Sequence, residues 1–393
     1  MQRPSPGHDQ PIVWNGETAR AFVPAPLPPT PPLDLGRLAV PLEKATRALT
    51  RLDAMSDGLP ALDLFLYGYV RKEAVLSSQI EGTQSSLSDL LLFELDEAPG
   101  VPLDDVVEVS RYVAALDRGI QALDEGTLPL CNRLLRMLHG ILLDEGRGSD
   151  KMPGEFRRGQ VWIGGSFDSL AQATFVPPPP DHVEQCMADL ERFLNHPPGD
   201  LPLLCRVGLA HVQFETIHPF LDGNGRLGRM LITLMLHAEG ALNHPLLYLS
   251  LFFKEHRSTY YELLNRVRTH GDWERWMLFF LEGVETVSLE AVATAKRIRD
   301  LETKDAGRIR ARLGRAARTA LAVHEVFLER PVATAAHVAR RARVAPATAL
   351  RRLGDLEELG IVREVTGRKR GRVFVHAECL RLLEEGTRIT PHS

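Results

Sequence analysis

One stretch constrains this 393-residue chain more than any other: His218-Pro219-Phe220-Leu221-Asp222-Gly223-Asn224-Gly225-Arg226-Leu227-Gly228-Arg229. An apolar helical pattern runs into it from Leu203 to Ile217, and a second leaves it from Met230 to His237. A polar, glycine-rich string between two apolar helices predicts a tight loop, with Arg226 and Arg229 on the first turn of the second helix. Gly223 and Gly225 tolerate positive φ, so the amides around Asn224 can converge on an anion. The helix start adds free N–H groups and the positive end of its dipole. Arg226 and Arg229 are three apart and share a face, where they can grip neighbouring phosphates. Asp222 has no use beside a bare phosphate and fits if Mg²⁺ bridges it to the oxygens. His218 stands where it can take a proton from an incoming hydroxyl.

A lone Gly-Asn-Gly would describe a helix–loop–helix turn with a capping Asp. The whole string resembles the motif of the Fic (Fido) family, His-x-Phe-x-(Asp/Glu)-Gly-Asn-Gly-Arg-x-x-Arg, at every defined position. The resemblance implies a nucleotidyltransferase, usually a protein adenylyltransferase that moves AMP from ATP to a Ser, Thr or Tyr hydroxyl of a protein target, itself included. It implies His218 as general base and Asp222 as the Mg²⁺ holder. Gly223, Asn224 and Gly225 would hold the α- and β-phosphates through their amides, and Arg226 and Arg229 the β- and γ-phosphates. Phe220 would anchor the nucleotide-binding loop from below.

Composition narrows the alternatives. The chain is 44% hydrophobic and 25% charged, ordinary for globular protein, and its net charge of −4 gives no whole-chain argument for nucleic acid. Cys131, Cys186, Cys205 and Cys379 are scattered without a Cys-x-x-Cys and read as thiols, not as a metal site or disulfide framework. No apolar run reaches membrane-spanning length and no signal peptide opens the chain, so a cytoplasmic protein without a membrane partner is expected. Walker-A, GxGxxG and kinase signatures are absent, as are repeats.

Five segments are expected. Residues 1–33 are rich in Pro, Gly and polar residues and read as an extended arm with little helix or strand. Residues 34–115 read as helical, with a break at Gly58-Leu59-Pro60 and a long helix from about Ala61 that ends near Gly82. Ser77 and Glu81 share a face there, and Gly82 suits a C-cap. Glu81 thus sits at a negative dipole end, which favours a cationic partner elsewhere. This string resembles the inhibitory-helix motif (Ser/Thr)-x-x-x-Glu-(Gly/Asn) of Fic proteins, in the class that carries it N-terminal to the catalytic motif. The implied role of Glu81 is to pair with Arg229 and withhold it from the γ-phosphate.

Residues 116–285 would form the catalytic core. Val161-Trp162-Ile163 and Ala173 to Val176 read as a short hairpin around a Gly/Ser/Asp loop. In Fic proteins a flap of this kind pairs its edge with the target segment. Tyr260 and Tyr261 are placed either as an adenine-side wall, by the same resemblance, or as core aromatics. His211 and Glu215, at i and i+4, have no third metal partner and read as structural.

Residues 286–312 read as a helical connector. Residues 313–393 carry 15 Lys+Arg against 9 Asp+Glu. Three short helices and a basic-tipped hairpin predict a winged helix-turn-helix, with Thr348, Arg351 and Arg352 on the recognition helix and Arg368, Lys369 and Arg370 on the wing. DNA contact is one reading of this module, and protein docking or homodimer formation the other. The expected architecture is mainly α: a Fic-type helical core with a small β-hairpin flap, plus a C-terminal winged-helix domain. The expected activity is autoinhibited AMP transfer with ATP and Mg²⁺. Its rivals are a DNA-binding regulator whose core only senses nucleotide, and a transferase of another group such as UMP or phosphocholine.

Overall fold

The computed structural model describes residues 5–56, 62–95, 102–164 and 170–387. The elements are β1 (Gly7–Trp14), β2 (Glu17–Pro24), α1 (Leu35–Ser56), α2 (Leu62–Ile80), α3 (Leu87–Phe93), α4 (Leu103–Asp124) and α5 (Asn132–Leu142). They continue with α6 (Pro180–Asn195), α7 (Leu203–Ile217), α8 (Asn224–Ala238), α9 (Ser250–Glu255), α10 (Arg257–His270) and α11 (Trp273–Leu313). The chain ends in α12 (Ala317–Phe327), β3 (Val332–Thr334), α13 (Ala335–Arg341), α14 (Pro346–Glu358), β4 (Arg363–Glu364), β5 (Val373–Val375) and α15 (Ala377–Glu384). Among the described residues the fold is mainly helical with two small antiparallel sheets. The break expected at Gly58–Pro60 lies outside the described residues. Among the described residues no helix is long and apolar enough to cross a membrane.

The centre is α7 and α8, buried almost all round, which explains why their sequences lack a polar face. Around them pack α4, α5, α6, α10 and α11, and α1 lies along α11. Gly208 lets α11 approach α7: a Cβ there would stand 2.4 Å from Met277 Cε, and the Gly208 carbonyl accepts from Trp276 Nε1 at 2.9 Å. Local signals set several boundaries. Ser86 and Asp89 form a capping box that starts α3, and Pro180 opens α6 at its first turn.

The N-terminal segment is corrected. Residues 7–24 are not an extended arm but a two-stranded hairpin, turning at Asn15 and Gly16, both at positive φ (50° and 83°). An Asn-Gly pair is the residue choice such a turn demands. The hairpin is also held from outside, since Phe22 N–H donates to the Val176 carbonyl at 2.9 Å.

Beyond α11, helices α12, α13 and α14 and the sheet β3-β5-β4 enclose a second core around Val323, Phe327, Val338, Leu353 and Phe374. Strand β3 and helix α15 were not anticipated. Helix α15 leaves this core: Cys379, Leu382 and Leu383 join the main one, with Leu383 against Gly68 of α2. A cut near residue 312 therefore would not free a separate unit.

Candidate active site

Helix α7 stops at His218, whose φ of 49° is uncommon outside glycine and turns the chain sharply into the loop. Two interactions hold that turn. Asn224 staples the loop to itself: its Oδ1 accepts from Phe220 N–H at 2.9 Å and its Nδ2 donates to the Phe220 carbonyl at 2.8 Å. Arg157 braces it from the side, with Nε donating to the His218 carbonyl (2.8 Å) and Nη2 to the Pro178 carbonyl (2.6 Å). Phe220 is fully buried and stacks on His139, centroids 3.7 Å apart. His139 in turn accepts from Gly154 N–H through Nδ1, so its Nε2–H donates to the Asp222 carbonyl at 3.0 Å. Burial lowers the His139 pKa to about 4, which keeps this arrangement neutral.

Helix α8 then begins, and its first-turn amides at Asn224, Gly225 and Arg226 have no intrahelical acceptors. Over them lies a carboxylate. Glu81, just beyond the end of α2, accepts from Arg229 Nη2 at 2.7 Å, and a Cβ on Gly225 would stand 2.2 Å from its Oε1. Arg229 also donates from Nε to Ser77 Oγ and from Nη2 to the Ser77 carbonyl, both at 2.9 Å. Ser77, Glu81 and Arg229 are thus brought together, with exposed Gly82 at φ 105° closing the helix end. Burial alone would raise the Glu81 pKa, but Arg229, followed by Arg226 and His218, outweighs it and holds the carboxyl low.

His218 is held neutral. Burial, then the charges of Arg157 and Arg268, push its pKa down to about 3, while Glu81 and the Glu215 backbone pull the other way. Asp222 keeps a partly exposed carboxylate (37% of the side chain) whose Oδ1 accepts from Gly223 N–H at 2.5 Å. One open carboxylate beside free amides fits Mg²⁺, which usually takes one or two protein carboxylates and completes its shell with waters and phosphate oxygens.

One placement differs from the sequence reading, and three others are narrowed within it. Arg226 does not present itself to a ligand: it is 1% exposed, with Nη1 at 2.8 Å from Glu108 Oε1 and Nη2 at 3.5 Å from Asp222. Asn224 offers only its backbone amide, because its side chain is spent on the loop. Phe220 lies beneath the loop and cannot touch a nucleotide. Tyr260 is a core residue: it is 1% exposed, its hydroxyl meets His211 Nε2 at 2.9 Å, and it stacks on Phe253. Tyr261 is 37% exposed, with Arg257 over its ring, and remains available. His211 also contacts the Gly228 carbonyl through Nδ1 at 2.9 Å, so both its nitrogens are engaged structurally.

Among the described residues the flap shows one bridge. Ile163 and Phe175 exchange N–H···O bonds at 2.8 and 3.0 Å, while residues 165–169 lie outside the described residues. Val161 and Trp162 flank the bridge, and Trp162 packs beside Leu170, Val176 and Ala21 of β2. In the C-terminal unit, Arg351 and residues 368–370 are exposed and Thr348 is half-buried. Arg352 is drawn down to Asp355 at 3.1 Å with 12% of its side chain exposed, which removes it from an interaction surface.

Sequence reasoning missed Glu108, His139 and Arg157. A weak signal existed for the first: Glu108 stands one turn before Tyr112 on the apolar side of α4, where a carboxylate needs a partner. Nothing local marks the other two.

Residues 40–121 match the profile "Fic/DOC family N-terminal", and residues 129–236 match "Fic/DOC family". A protein adenylyltransferase Fic from Drosophila ananassae is 35% identical over 145 residues, 36% of this chain and 26% of that protein. One from Aedes aegypti is 33% identical over 151 residues, again 26% of its length. The match thus spans about a quarter of these relatives. Among solved structures, a Fic family protein from Desulfovibrio desulfuricans has a TM-score of 0.57 at 20% identity, covering 90% of this chain and 98% of that one. Fic-1 from C. elegans has a TM-score of 0.50 at 21% identity over 67% of this chain and 75% of that one.

Proposed function

We propose that this chain, a Fic/DOC-family protein over residues 40–121 and 129–236, transfers AMP from ATP to a protein hydroxyl and is held inactive by its own α2. The observation that carries the reading is Glu81. Its carboxylate sits over the Gly225 backbone at the start of α8 and engages Arg229, so it stands in for an anionic ligand in a cradle built for one. The relatives named protein adenylyltransferase support ATP as the donor.

In the active state Arg229 grips the terminal phosphates and the amides of Asn224 and Gly225 the inner ones. Asp222 would hold Mg²⁺, which neutralises phosphate charge. His218, neutral at physiological pH, takes the proton from the Ser, Thr or Tyr hydroxyl. The freed oxygen bonds to the α-phosphorus as the bond from that phosphorus to pyrophosphate breaks. Arg226 acts indirectly: clamped by Glu108, it fixes Asp222 one turn before it. The segment around Ile163 offers a short backbone edge for the target.

The test is intact-mass analysis of the full chain, unaltered and as the released Glu81→Gly variant, incubated with each NTP and Mg²⁺. Gain of one adenylyl mass with ATP, lost in His218→Ala while ATP affinity stays within about threefold (about 0.65 kcal/mol), supports the reading. Transfer at the original rate by His218→Ala removes His218 from the mechanism, and gain of another group from another donor replaces AMP.

A further inference from the structure

Away from the α8 loop, three potential metal ligands meet in the interior. Asp305 comes from the long helix α11, His324 from α12, and His376 from the N-cap of α15. All three are buried, none more than 2% exposed by residue, and their ligand atoms lie within 4.8 Å of one another. Asp305 Oδ2 is 3.1 Å from His376 Nε2 and 3.9 Å from His324 Nε2. Tetrahedral zinc with bonds of about 2.0–2.2 Å to nitrogen and oxygen places its ligands about 3.3 Å apart. The Asp305–His376 separation is already close to this value, and His324 would move inward to meet it.

Two details point to a ligand here. The Nε2 of His324 is fully buried, faces Asp305 and has no hydrogen-bond partner, which is costly for a ring nitrogen away from water. The carboxylate is also oriented: Asp305 Oδ1 accepts from Arg308 Nη1 at 3.1 Å, leaving Oδ2 directed at both rings.

We propose that Asp305, His324 and His376 bind a divalent transition-metal ion, zinc by preference, that staples the C-terminal unit to α11 and α15. Two imidazoles and one carboxylate suit zinc, with water as the fourth ligand. Without metal, His376 Nε2–H donates to Asp305, because its Nδ1 accepts from Cys379 N–H at 3.3 Å. To bind metal through Nε2, neutral His376 takes its other tautomer with the proton on Nδ1, and the long contact from Cys379 N–H is given up. The site lies where the second core meets the main core through Cys379 and Leu382, so the ion would fix how the two cores sit together.

The test uses the full chain, stripped with EDTA and kept in excess Mg²⁺ so that open carboxylate sites stay filled. Zn²⁺ is titrated in competition with a chromogenic chelator, and Co²⁺ is added to a parallel sample for its absorption spectrum. One Zn²⁺ per chain, a raised melting temperature, and binding weakened at least tenfold in Asp305→Asn and in His324→Phe support the site. No stoichiometric uptake, or uptake unchanged in both variants, overturns it. If either variant fails to fold, the unaltered chain still decides: absence of four-coordinate Co²⁺ bands overturns the proposal. These readouts do not depend on AMP transfer.

Discussion

Replacing Glu81 with Gly isolates the contact that occupies the anion cradle. The structure sets the size of the effect. Arg229 makes three hydrogen bonds to the α2 end, and only the 2.7 Å bond to Glu81 is between two charged groups. A hydrogen bond to a charged group contributes about 1.5–3 kcal/mol. The Glu81 side chain is 32% exposed, so solvent screening places the value near the lower end. Releasing about 1.5–2 kcal/mol from the barrier raises the rate roughly 10- to 30-fold at 1.36 kcal/mol per decade. Ser77 still holds Arg229 after this change, so Ser77→Ala, which removes one weaker bond to a neutral hydroxyl, should give only a few-fold increase. Arg229→Ala should not activate, because it removes the phosphate grip with the lock, and adding Glu81→Gly to it should change nothing. The assay is the initial rate of self-modification with ATP and Mg²⁺, followed by intact mass. An unchanged rate in a Glu81→Gly protein with unaltered circular dichroism would refute the reasoning and leave Glu81 as a helix-end residue.

Glu108→Gln should destabilise the fold by about 3 kcal/mol, read from urea denaturation, because it leaves the Arg226 charge buried beside only Asp222; a loss under about 1 kcal/mol would show that the pair is not the partner Arg226 depends on. Acid should destabilise the protein below about pH 6.5. Burial lowers His139 and His324 to about 4 and His211 and His218 to about 3, so the unfolded chain takes those four protons first. Buried Glu73 and Glu215, both raised to about 7, work in the opposite sense between about pH 4.5 and 7, since the folded state holds their protons. The balance favours the unfolded chain by two protons, or up to about 2.7 kcal/mol per pH unit, and a denaturation midpoint that is flat or rising from about pH 7.5 to about pH 5.5 would contradict it. If the C-terminal unit binds duplex DNA, Arg351→Ala with Lys369→Ala should weaken that binding and flatten its salt dependence by about 0.9 per lost phosphate contact; no binding by the unaltered chain at low salt assigns this face to protein docking.

Much of the candidate site was legible because its parts are contiguous. His218, Asp222, the glycines and Arg229 fall within twelve residues between two apolar helices, so one turn and one helix start fix their relative places. The helices of the core were legible for the same reason, since apolar periodicity is a local property. The N-terminal hairpin was legible too, in Asn15-Gly16, but the prolines around it drew the reading toward an extended arm. Where sequence reasoning could not separate neighbouring residues of the site, the cause was burial. Arg226 and Arg229 are equivalent on a helical wheel, yet one is consumed by Glu108 from α4 and the other by α2. Tyr260 and Tyr261 are adjacent, yet one is sealed against His211 while the other reaches the surface.

The sequence by itself determined that an imidazole, a carboxylate and an anion-binding helix start would lie side by side, because backbone geometry over twelve residues leaves little freedom. Only the tertiary structure decided which charged groups stay available. A buried guanidinium must find a carboxylate, and that partner can come from any element packed against it, as Glu108 does from 118 residues upstream of Arg226 and Glu81 from 148 upstream of Arg229. The same holds for Asp305, His324 and His376, which are distant in the chain and meet because three helices converge.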